Sequence, residues 1–406
     1  MSQVAIRLCC CVLLGMAGPA VAAAPETGAA SPPAGESLQW HDAALLTIEG
    51  RGWERTADTW SRLPDHARGL VREDIWRLAD DAAGLCVRFV TDSRRIAARW
   101  TLARPGFTMD HMAATAVGGL DLYGRTRDGW RWAGLGRLRS PQQPEAVLAA
   151  GLSGEPREYM LYLPLYNGVQ GLSIGLEAGA SLRPGPPRPA ERARPIVVYG
   201  TSIVQGACAS RPGMAYPAIL GRSLDRPVVN LGFSGNARME PELADLLGEI
   251  DAAVYVLDAL PNMSAAMVRE RAAPFIGRLA ERRPRVPIVL LGDAGHLGAA
   301  FGVPGRDPAA EKNAALQDAY RELRARVAGE LAYVEAGSLL GDDGEAGVDG
   351  RHLSDVGFMR MAGTLAGILG PMLERQGAVQ GRAPAGYDPP ATTPRRKPNG
   401  SGAAAA

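Results

Sequence analysis

The sequence predicts an α/β fold: a five-stranded parallel sheet covered by helices on both faces, preceded by a smaller β-sandwich domain. In the second half of the 406-residue chain, short apolar runs alternate with longer helical stretches. Continuous apolar strands separated by helices are typical of a parallel sheet buried on both faces. In the first half, short runs alternate apolar with polar residues between Gly, Pro, Asn and Asp, which favours a sandwich.

Stretches of unusual composition set the expected boundaries. Arg7, a short apolar run and small residues at 20–22 predict a signal peptide at 1–22, followed by a flexible leader at 23–36. Residues 181–194 hold four Pro and predict a linker, and the Pro- and Gly-rich stretch 376–406 predicts a disordered tail. The β-sandwich domain then spans 37–180 and the parallel-sheet domain spans 195–375.

Periodicity places the elements in order. Sandwich strands are expected at 85–90, 95–102, 119–123, 157–163 and 172–177, and parallel strands at 196–199, 228–233, 253–260, 288–291 and 332–335. Helices are expected at 215–224, 241–249, 265–282, 308–327 and 355–373. All seven Trp lie in the first half, where core packing is favoured over a sugar-binding surface. No stretch after the N-terminus is expected to be apolar enough to cross a membrane.

Composition excludes several classes of function. Lys plus Arg number 44 and Asp plus Glu 43, so there is no electrostatic footprint for nucleic acid. The five His and five Cys include no C-x-x-C pair and no H-E-x-x-H, so we expect no metal and no cofactor. The cysteines at 9–11 fall in the signal peptide. For the two cysteines that remain, Cys86 and Cys208, two buried free thiols are favoured over a disulfide between them.

Polar residues follow the carboxyl ends of the predicted strands, where ligands bind in such sheets. Ser202 follows the first strand, Gly232 ends the second and Asn262 follows the third. Asp349 and His352 form an Asp-x-x-His before the last helix. Each residue alone is explained by a turn or a helix cap, but together they bring a hydroxyl, an amide and an acid–base pair to one sheet edge.

These segments resemble the SGNH (GDSL-type) serine esterase family, named for Ser, Gly, Asn and His in four ordered blocks. The first block is altered to Gly-Thr-Ser, and Leu353 stands where Pro often follows the His. In the first half, Met109-Asp110-His111-Met112 and Gly119-Leu120-Asp121-Leu122-Tyr123 resemble the Gly-x-Asp-Leu-Tyr domain that precedes certain secreted members. The two resemblances span residues 40–375 and imply a flavodoxin-like sheet.

The chemistry expected of these residues is acyl transfer through a serine nucleophile. Ser202 would attack an ester, His352 would act as the base, and Asp349 would orient the imidazole. The resemblance assigns the oxyanion donors to the Ser202 N–H, the Gly232 N–H and the Asn262 amide. It implies a secreted or periplasmic esterase for acetyl esters. The expected substrate is an acylated small molecule or O-acetylated glycan, without nucleic acid or stable membrane insertion.

Two other functions stay open: a lipase or thioesterase for longer acyl chains, and a carbohydrate-binding protein whose hydrolase domain is inactive. The full set of four blocks argues against the second, because binding alone does not require Ser, Asn, Asp and His together.

Other polar residues compete for roles in the site. A second Asp-x-x-His, Asp293 to His296, follows the fourth strand, but the helix after His352 favours the later pair. Ser173 lies in a G-x-S-x-G pattern without a following helix, so we predict a strand residue there. His111 and Asp121 are expected to support the sandwich rather than contact substrate.

Overall fold

The computed structural model describes residues 37–138, 145–295 and 308–380. The predicted signal peptide, the leader and the chain beyond residue 380 lie outside these ranges, as does His296.

Two antiparallel sheets form the N-terminal part of the structure. The strands in the described ranges are β1 (Gln39–Asp42), β2 (Thr47–Glu49), β3 (Cys86–Thr91), β4 (Arg95–Leu102), β5 (Leu120–Thr126), β6 (Gly129–Gly136), β7 (Glu145–Ala150), β8 (Arg157–Tyr162), β9 (Val169–Leu176) and β10 (Leu182–Pro184). One sheet has the order β1-β9-β4-β7 and the other β10-β3-β8-β5-β6, with β2 paired to β3. Phe89 of one sheet and Trp100 and Ile174 of the other share one buried cluster, so the predicted sandwich is confirmed.

One segment of the N-terminal region packs outside the sandwich. Helix α1 (Glu73–Ala79) buries Ile75 and Trp76 in a cluster that also contains Tyr199 and Leu231 from the second half of the chain. Arg62, 1% exposed, donates to the carbonyl of Gly232 at 2.7 Å. The stretch predicted as sandwich therefore also supplies part of the core of the parallel-sheet domain.

The second half contains a five-stranded parallel sheet. Its strands are β11 (Ile196–Gly200), β12 (Val228–Gly232), β13 (Val254–Asp258), β14 (Ile288–Leu291) and β15 (Leu331–Val334). Their order is β12-β11-β13-β14-β15, which confirms the predicted flavodoxin-like arrangement. All five residues of β11 are buried. Val197 joins the cluster on one face and Val198 the cluster on the other, which explains the continuous apolar run.

Helices cover both faces of this sheet. The α-helices of the described residues after α1 are α2 (Ala114–Val117), α3 (Ala190–Ala193), α4 (Ser202–Gln205), α5 (Tyr216–Ser223), α6 (Pro241–Glu249), α7 (Ala265–Arg282), α8 (Pro308–Leu323) and α9 (Asp355–Gln380). Side chains of α6, α7 and α8 pack on the Val197 face, and those of α4, α5 and α9 pack on the Val198 face. The helices predicted at 241–249 and 265–282 have the bounds found in the structure.

The Pro-rich segment between the two halves is ordered. It carries β10, which pairs with β3, and the short helix α3. Arg188, with 7% of its side chain exposed, contacts Glu49 at 2.8 Å and Asp225 at 3.2 Å. Asp225 also binds Arg125 of β5 at 2.6 Å. The predicted linker is thus held to both halves of the chain by ion pairs.

Among the described helices, α9 is long and apolar enough to cross a membrane by length and composition, over Asp355–Gln376. The expectation that no later stretch has this character is therefore wrong. Phe358, Leu365 and Leu369 of this helix are buried in the core, and a core helix passes the same test. Because α9 begins three residues after His352, its packing anchors the loop that carries that histidine.

Candidate active site

Three side chains form a hydrogen-bonded chain at the carboxyl end of the parallel sheet. Ser202 Oγ lies 2.9 Å from His352 Nε2, and His352 Nδ1 lies 2.7 Å from Asp349 Oδ2. With its Nδ1–H donated to the carboxylate, the ring presents the Nε2 lone pair to the serine hydroxyl. The arrangement can take a proton from Ser202 and hold the resulting imidazolium beside a negative charge.

The charge of Asp349 is fixed by its hydrogen bonds. Burial opposes its ionisation, but bonds from the ring and backbone of His352 and from the backbone of Arg351 outweigh burial. They hold the pKa of Asp349 well below its usual range. The two backbone N–H groups reach Oδ1 at 2.7 and 3.0 Å. The carboxylate therefore stays ionised at neutral pH and its position is set by three donors.

Ser202 is placed by the junction of β11 and α4. Thr201 is the N-cap residue, and its hydroxyl accepts the Ile203 N–H at 3.3 Å, so the altered Gly-Thr-Ser block still caps the helix. Ser202 is the first residue of α4, a position whose N–H has no partner within the helix. No other described group accepts that N–H, so it is free to bind an oxyanion.

The amide of Asn262, in the turn after the neighbouring strand β13, is an unsatisfied donor. Asn262 ends the short 3-10 turn Leu260–Asn262 that follows β13. Its Nδ2 is buried and has no hydrogen-bond partner among the described residues. A buried amide without a partner costs free energy, so its presence is explained most simply by a ligand atom that accepts from it.

Gly232 does not supply the predicted oxyanion donor. Its N–H donates to Asn230 Oδ1 at 2.9 Å, while Asn230 Nδ2 donates to the carbonyl of Val204 at 2.8 Å. A Cβ on Gly232 would lie 2.2 Å from the backbone nitrogen of Gln205. The prediction of Gly232 as a donor is therefore wrong, since this glycine serves the close packing of β12 against α4.

A backbone N–H without a partner, at a glycine that the sequence did not single out, lies three residues further on. Gly235 has a φ of +72° in the turn after β12, and its N–H has no partner in the described part of the chain. The preceding Ser234 N–H donates to Gln205 Oε1 at 3.0 Å, which ties this turn to the end of α4. The left-handed φ, which favours glycine, is the signal that separates Gly235 from Gly232.

In the competing Asp-x-x-His motif, the aspartate already forms ion pairs with other side chains. Asp293 is 4% exposed. It pairs with Lys312 and, at 3.1 Å, with Arg351 Nη2. Burial raises its pKa, but these cations lower it further, so the net pKa of Asp293 is below its usual value. Its partner in the motif, His296, lies outside the described residues.

The same ion-pair group holds two parts of the site together. Lys312 Nζ donates to the carbonyl of Leu260 at 3.2 Å, and Arg351 Nη2 donates to that of Pro261 at 2.9 Å. Both carbonyls belong to the turn that ends at Asn262. Because Arg351 immediately precedes His352, Asp293 and its two cations link the amide donor to the histidine loop.

His111 is not placed as expected. Its ring centroid lies 5.7 Å from that of His352, so this residue of the N-terminal half stands beside the site. The expectation of a purely supporting role in the sandwich is wrong for His111, because the loop before α2 reaches the edge of the parallel sheet.

Asp121 of the Gly-x-Asp-Leu-Tyr motif joins the two halves of the molecule. It is fully buried and accepts hydrogen bonds from Trp132 Nε1 at 3.0 Å, Arg211 Nη1 at 2.7 Å and the Gly213 N–H at 2.8 Å. Arg211 and Gly213 follow α4, so the carboxylate fixes the segment after Ser202 rather than the sandwich alone.

The remaining candidate residues have the structural roles that the sequence predicted for them. Ser173 lies in β9, as predicted. Cys86 and Cys208 are buried free thiols. Four of the seven Trp side chains are buried, Trp40 and Trp53 are half-buried, and Trp132 is 54% exposed.

Comparison with known proteins agrees with this architecture. Residues 193–370 match the GDSL-like lipase/acylhydrolase family, and residues 38–182 match the GxDLY family, the N-terminus of Esterase_SGNH_hydro-type proteins. A search of curated proteins finds no match.

Several solved structures resemble the chain over most of its length. A protein described as a GDSL-like lipase from Bacteroides ovatus is 32% identical with a TM-score of 0.77, covering 83% of this chain and 98% of that one. The salicylyl-acyltransferase SsfX3 from a tetracycline biosynthetic pathway is 19% identical (TM-score 0.65; 86% and 98% covered). A family two carbohydrate esterase from Cellvibrio japonicus is 15% identical (TM-score 0.54; 84% and 99% covered). The last two share the fold, whereas the first shows that this chain belongs to the GDSL-like lipase/acylhydrolase family.

Proposed function

We propose that this protein is an exported serine esterase that removes acetyl or other short acyl groups from carbohydrate through an acyl-enzyme. The observation that carries the proposal is the hydrogen-bonded chain from Ser202 through His352 to Asp349, with the unpaired amide of Asn262 in a turn that Arg351 ties to the histidine loop. A protein that only bound carbohydrate would not need a hydroxyl, a base and an unsatisfied donor in one place.

In the proposed mechanism, Ser202 Oγ attacks the ester carbonyl while His352 Nε2 takes its proton. Asp349 holds the ring and stabilises the imidazolium. The oxyanion accepts from the Ser202 N–H and Asn262 Nδ2, and we assign the third donor to Gly235. His352 then protonates the leaving alcohol, and a water molecule activated by the same base releases the acid and restores Ser202.

The surroundings of the site support a short acyl group. A cavity of about 20 Å³ is lined by Ile203 of α4 and by Arg351 and Leu353, which flank His352 in the sequence. It has space for only one or two water molecules. Its lining also includes the carboxyl group of Asp258 and the ion pair between Asp293 and Arg351. A long alkyl chain in this cavity would remove water from that ion pair and from the Asp258 carboxyl without offering a polar partner, which is unfavourable. An acetyl group needs much less space than a long alkyl chain.

Support for a carbohydrate acceptor comes from the exposed face of the N-terminal half and from the fold relatives. Trp132 is 54% exposed and can stack on a sugar ring. Two of the fold relatives are family two carbohydrate esterases.

The test is a panel of p-nitrophenyl acetate, butyrate and dodecanoate together with acetylated glycans, with Ser202→Ala as the matched inactive control. We expect p-nitrophenyl acetate to be hydrolysed fastest of the three esters. We also expect acetic acid to be released from at least one acetylated glycan. Faster hydrolysis of dodecanoate would indicate a lipase. Glycan binding without hydrolysis would indicate a binding protein with an inactive hydrolase domain.

A further inference from the structure

Three potential metal ligands from distant parts of the chain meet at the edge of the site. His111, Cys208 and His352 each offer a ligand atom, and these atoms all lie within 4.8 Å of one another. Zinc bonds of about 2.0–2.1 Å to nitrogen and about 2.3 Å to sulfur place tetrahedral ligand atoms roughly 3.5 Å apart. Side-chain movements of about an ångström would therefore close the three atoms around one ion.

Both histidines are held in the way that metal-binding histidines are held. His111 Nδ1 lies 2.9 Å from Asp110 Oδ1, and His352 Nδ1 lies 2.7 Å from Asp349 Oδ2. A carboxylate on one ring nitrogen orients the ring and leaves the lone pair of the other nitrogen for an ion. Nε2 is thus the ligand atom expected from each residue.

Cys208 has an unusual backbone for its residue type. Its φ of +69° is left-handed, a conformation uncommon for residues other than glycine. The thiol is buried and donates to the carbonyl of His111 at 3.1 Å. The imidazoles of His111 and His352 are 31% and 21% exposed, so an ion can reach them from solvent.

We propose that His111, Cys208 and His352 form an inhibitory Zn²⁺ site, with the fourth position taken by water. Two imidazoles and a thiolate suit zinc, whereas Mg²⁺ and Ca²⁺ require oxygen ligands. On binding, the thiol S–H bond breaks, its proton leaves to water, and an S–Zn bond forms without any change of oxidation state.

Zinc and the serine compete for His352. An ion on Nε2 replaces the hydrogen bond with Ser202, and an ion on Nδ1 replaces the bond with Asp349. In either case the imidazole loses its place in the hydrogen-bonded chain. Binding itself does not depend on the proposed esterase function, although inhibition does.

The test is a cobalt titration of the full-length protein carrying Cys9→Ser, Cys10→Ser and Cys11→Ser, so that the thiols of the predicted signal peptide cannot bind the ion, with Co²⁺ as a spectroscopic substitute for zinc. We expect a thiolate-to-cobalt charge-transfer band at one equivalent in the wild type and in Ser202→Ala. The band should be absent in Cys208→Ser and weakened in His111→Gln. Cys86→Ala and His66→Gln are the matched controls and should keep the band. Absence of the band from the wild type, or its persistence in Cys208→Ser, would overturn the site whatever the enzyme hydrolyses.

Inhibition is measured on the same variants. The Zn²⁺ concentration for half-inhibition, relative to each variant's own activity, should rise at least about tenfold in Cys208→Ser and His111→Gln. It should not change in the controls, and EDTA should restore activity. Equal zinc sensitivity in all active variants would contradict the proposal, because zinc would then act elsewhere.

Discussion

Removal of the Asn262 amide should lower catalysis without lowering stability. The residue ends the turn after β13, and its Nδ2 makes no hydrogen bond within the described structure. In Asn262→Ala no native hydrogen bond of this nitrogen is lost. The donor would matter only when an oxyanion forms beside Ser202.

The size of the effect follows because the amide is unpaired in the free protein and would be paired only in the transition state. One oxyanion donor contributes about 3 kcal/mol to the transition state, so kcat should fall roughly 100- to 1000-fold with little change in KM. The free energy of unfolding should stay within about 0.5 kcal/mol of wild type or rise, because a buried unpaired donor is removed. Asn262→Asp should lose at least as much activity, since a carboxylate would face the oxyanion.

The assay combines steady-state kinetics on p-nitrophenyl acetate with urea unfolding. The matched control for stability is Asn167→Ala. Asn167 is fully buried and makes hydrogen bonds to the backbone of Arg104 and Gly106, so its loss should cost about 1–3 kcal/mol of unfolding free energy. An unchanged kcat in Asn262→Ala, or a loss of stability comparable with the control, would refute the assignment and make Asn262 a structural residue.

Three further predictions use other parts of the site. His352→Ala should abolish turnover, and Asp349→Asn should lower it by a smaller factor. His296→Ala should retain most activity. An inactive His296 variant together with an active His352 variant would assign the base to His296 instead. Burial raises the pKa of Asp258 from 3.8 to about 8, so the folded protein holds a proton that the unfolded chain has lost. The free energy of unfolding should therefore fall as pH rises from about 4 to about 8, and urea titrations of Asp258→Asn should show a smaller fall. Lys312→Met should lower the unfolding free energy by about 3 kcal/mol, because it leaves a buried carboxylate with one cation, and a Tm equal to wild type would contradict this.

Much of the fold could be predicted because burial on both faces leaves a clear signal in the sequence. The run in β11 is continuously apolar, and each of its faces packs against a different set of helices. Five strands were missed: β2 has only three residues, and β1, β6, β7 and β10 lie at the edges of their sheets. Short strands and edge strands are partly exposed, so they show a weaker apolar pattern than a central strand.

The site was harder to predict where its parts depend on conformation or on distant packing. Gly232 and Gly235 look alike in the sequence, and only the φ of +72° and the free N–H of Gly235 distinguish them. His111 and Cys208 meet His352 through packing between segments more than 90 residues apart in sequence. No local spacing encodes such a cluster, so a search for metal-binding motifs could not find it.

The central claim is that Ser202 is the nucleophile, and its most direct test is covalent labelling with a fluorophosphonate followed by peptide mass spectrometry. We expect the label on Ser202, no label in Ser202→Ala, and a Tm for that variant close to wild type. Labelling of Ser173 or Ser234 instead, or of no serine in folded protein, would contradict the account.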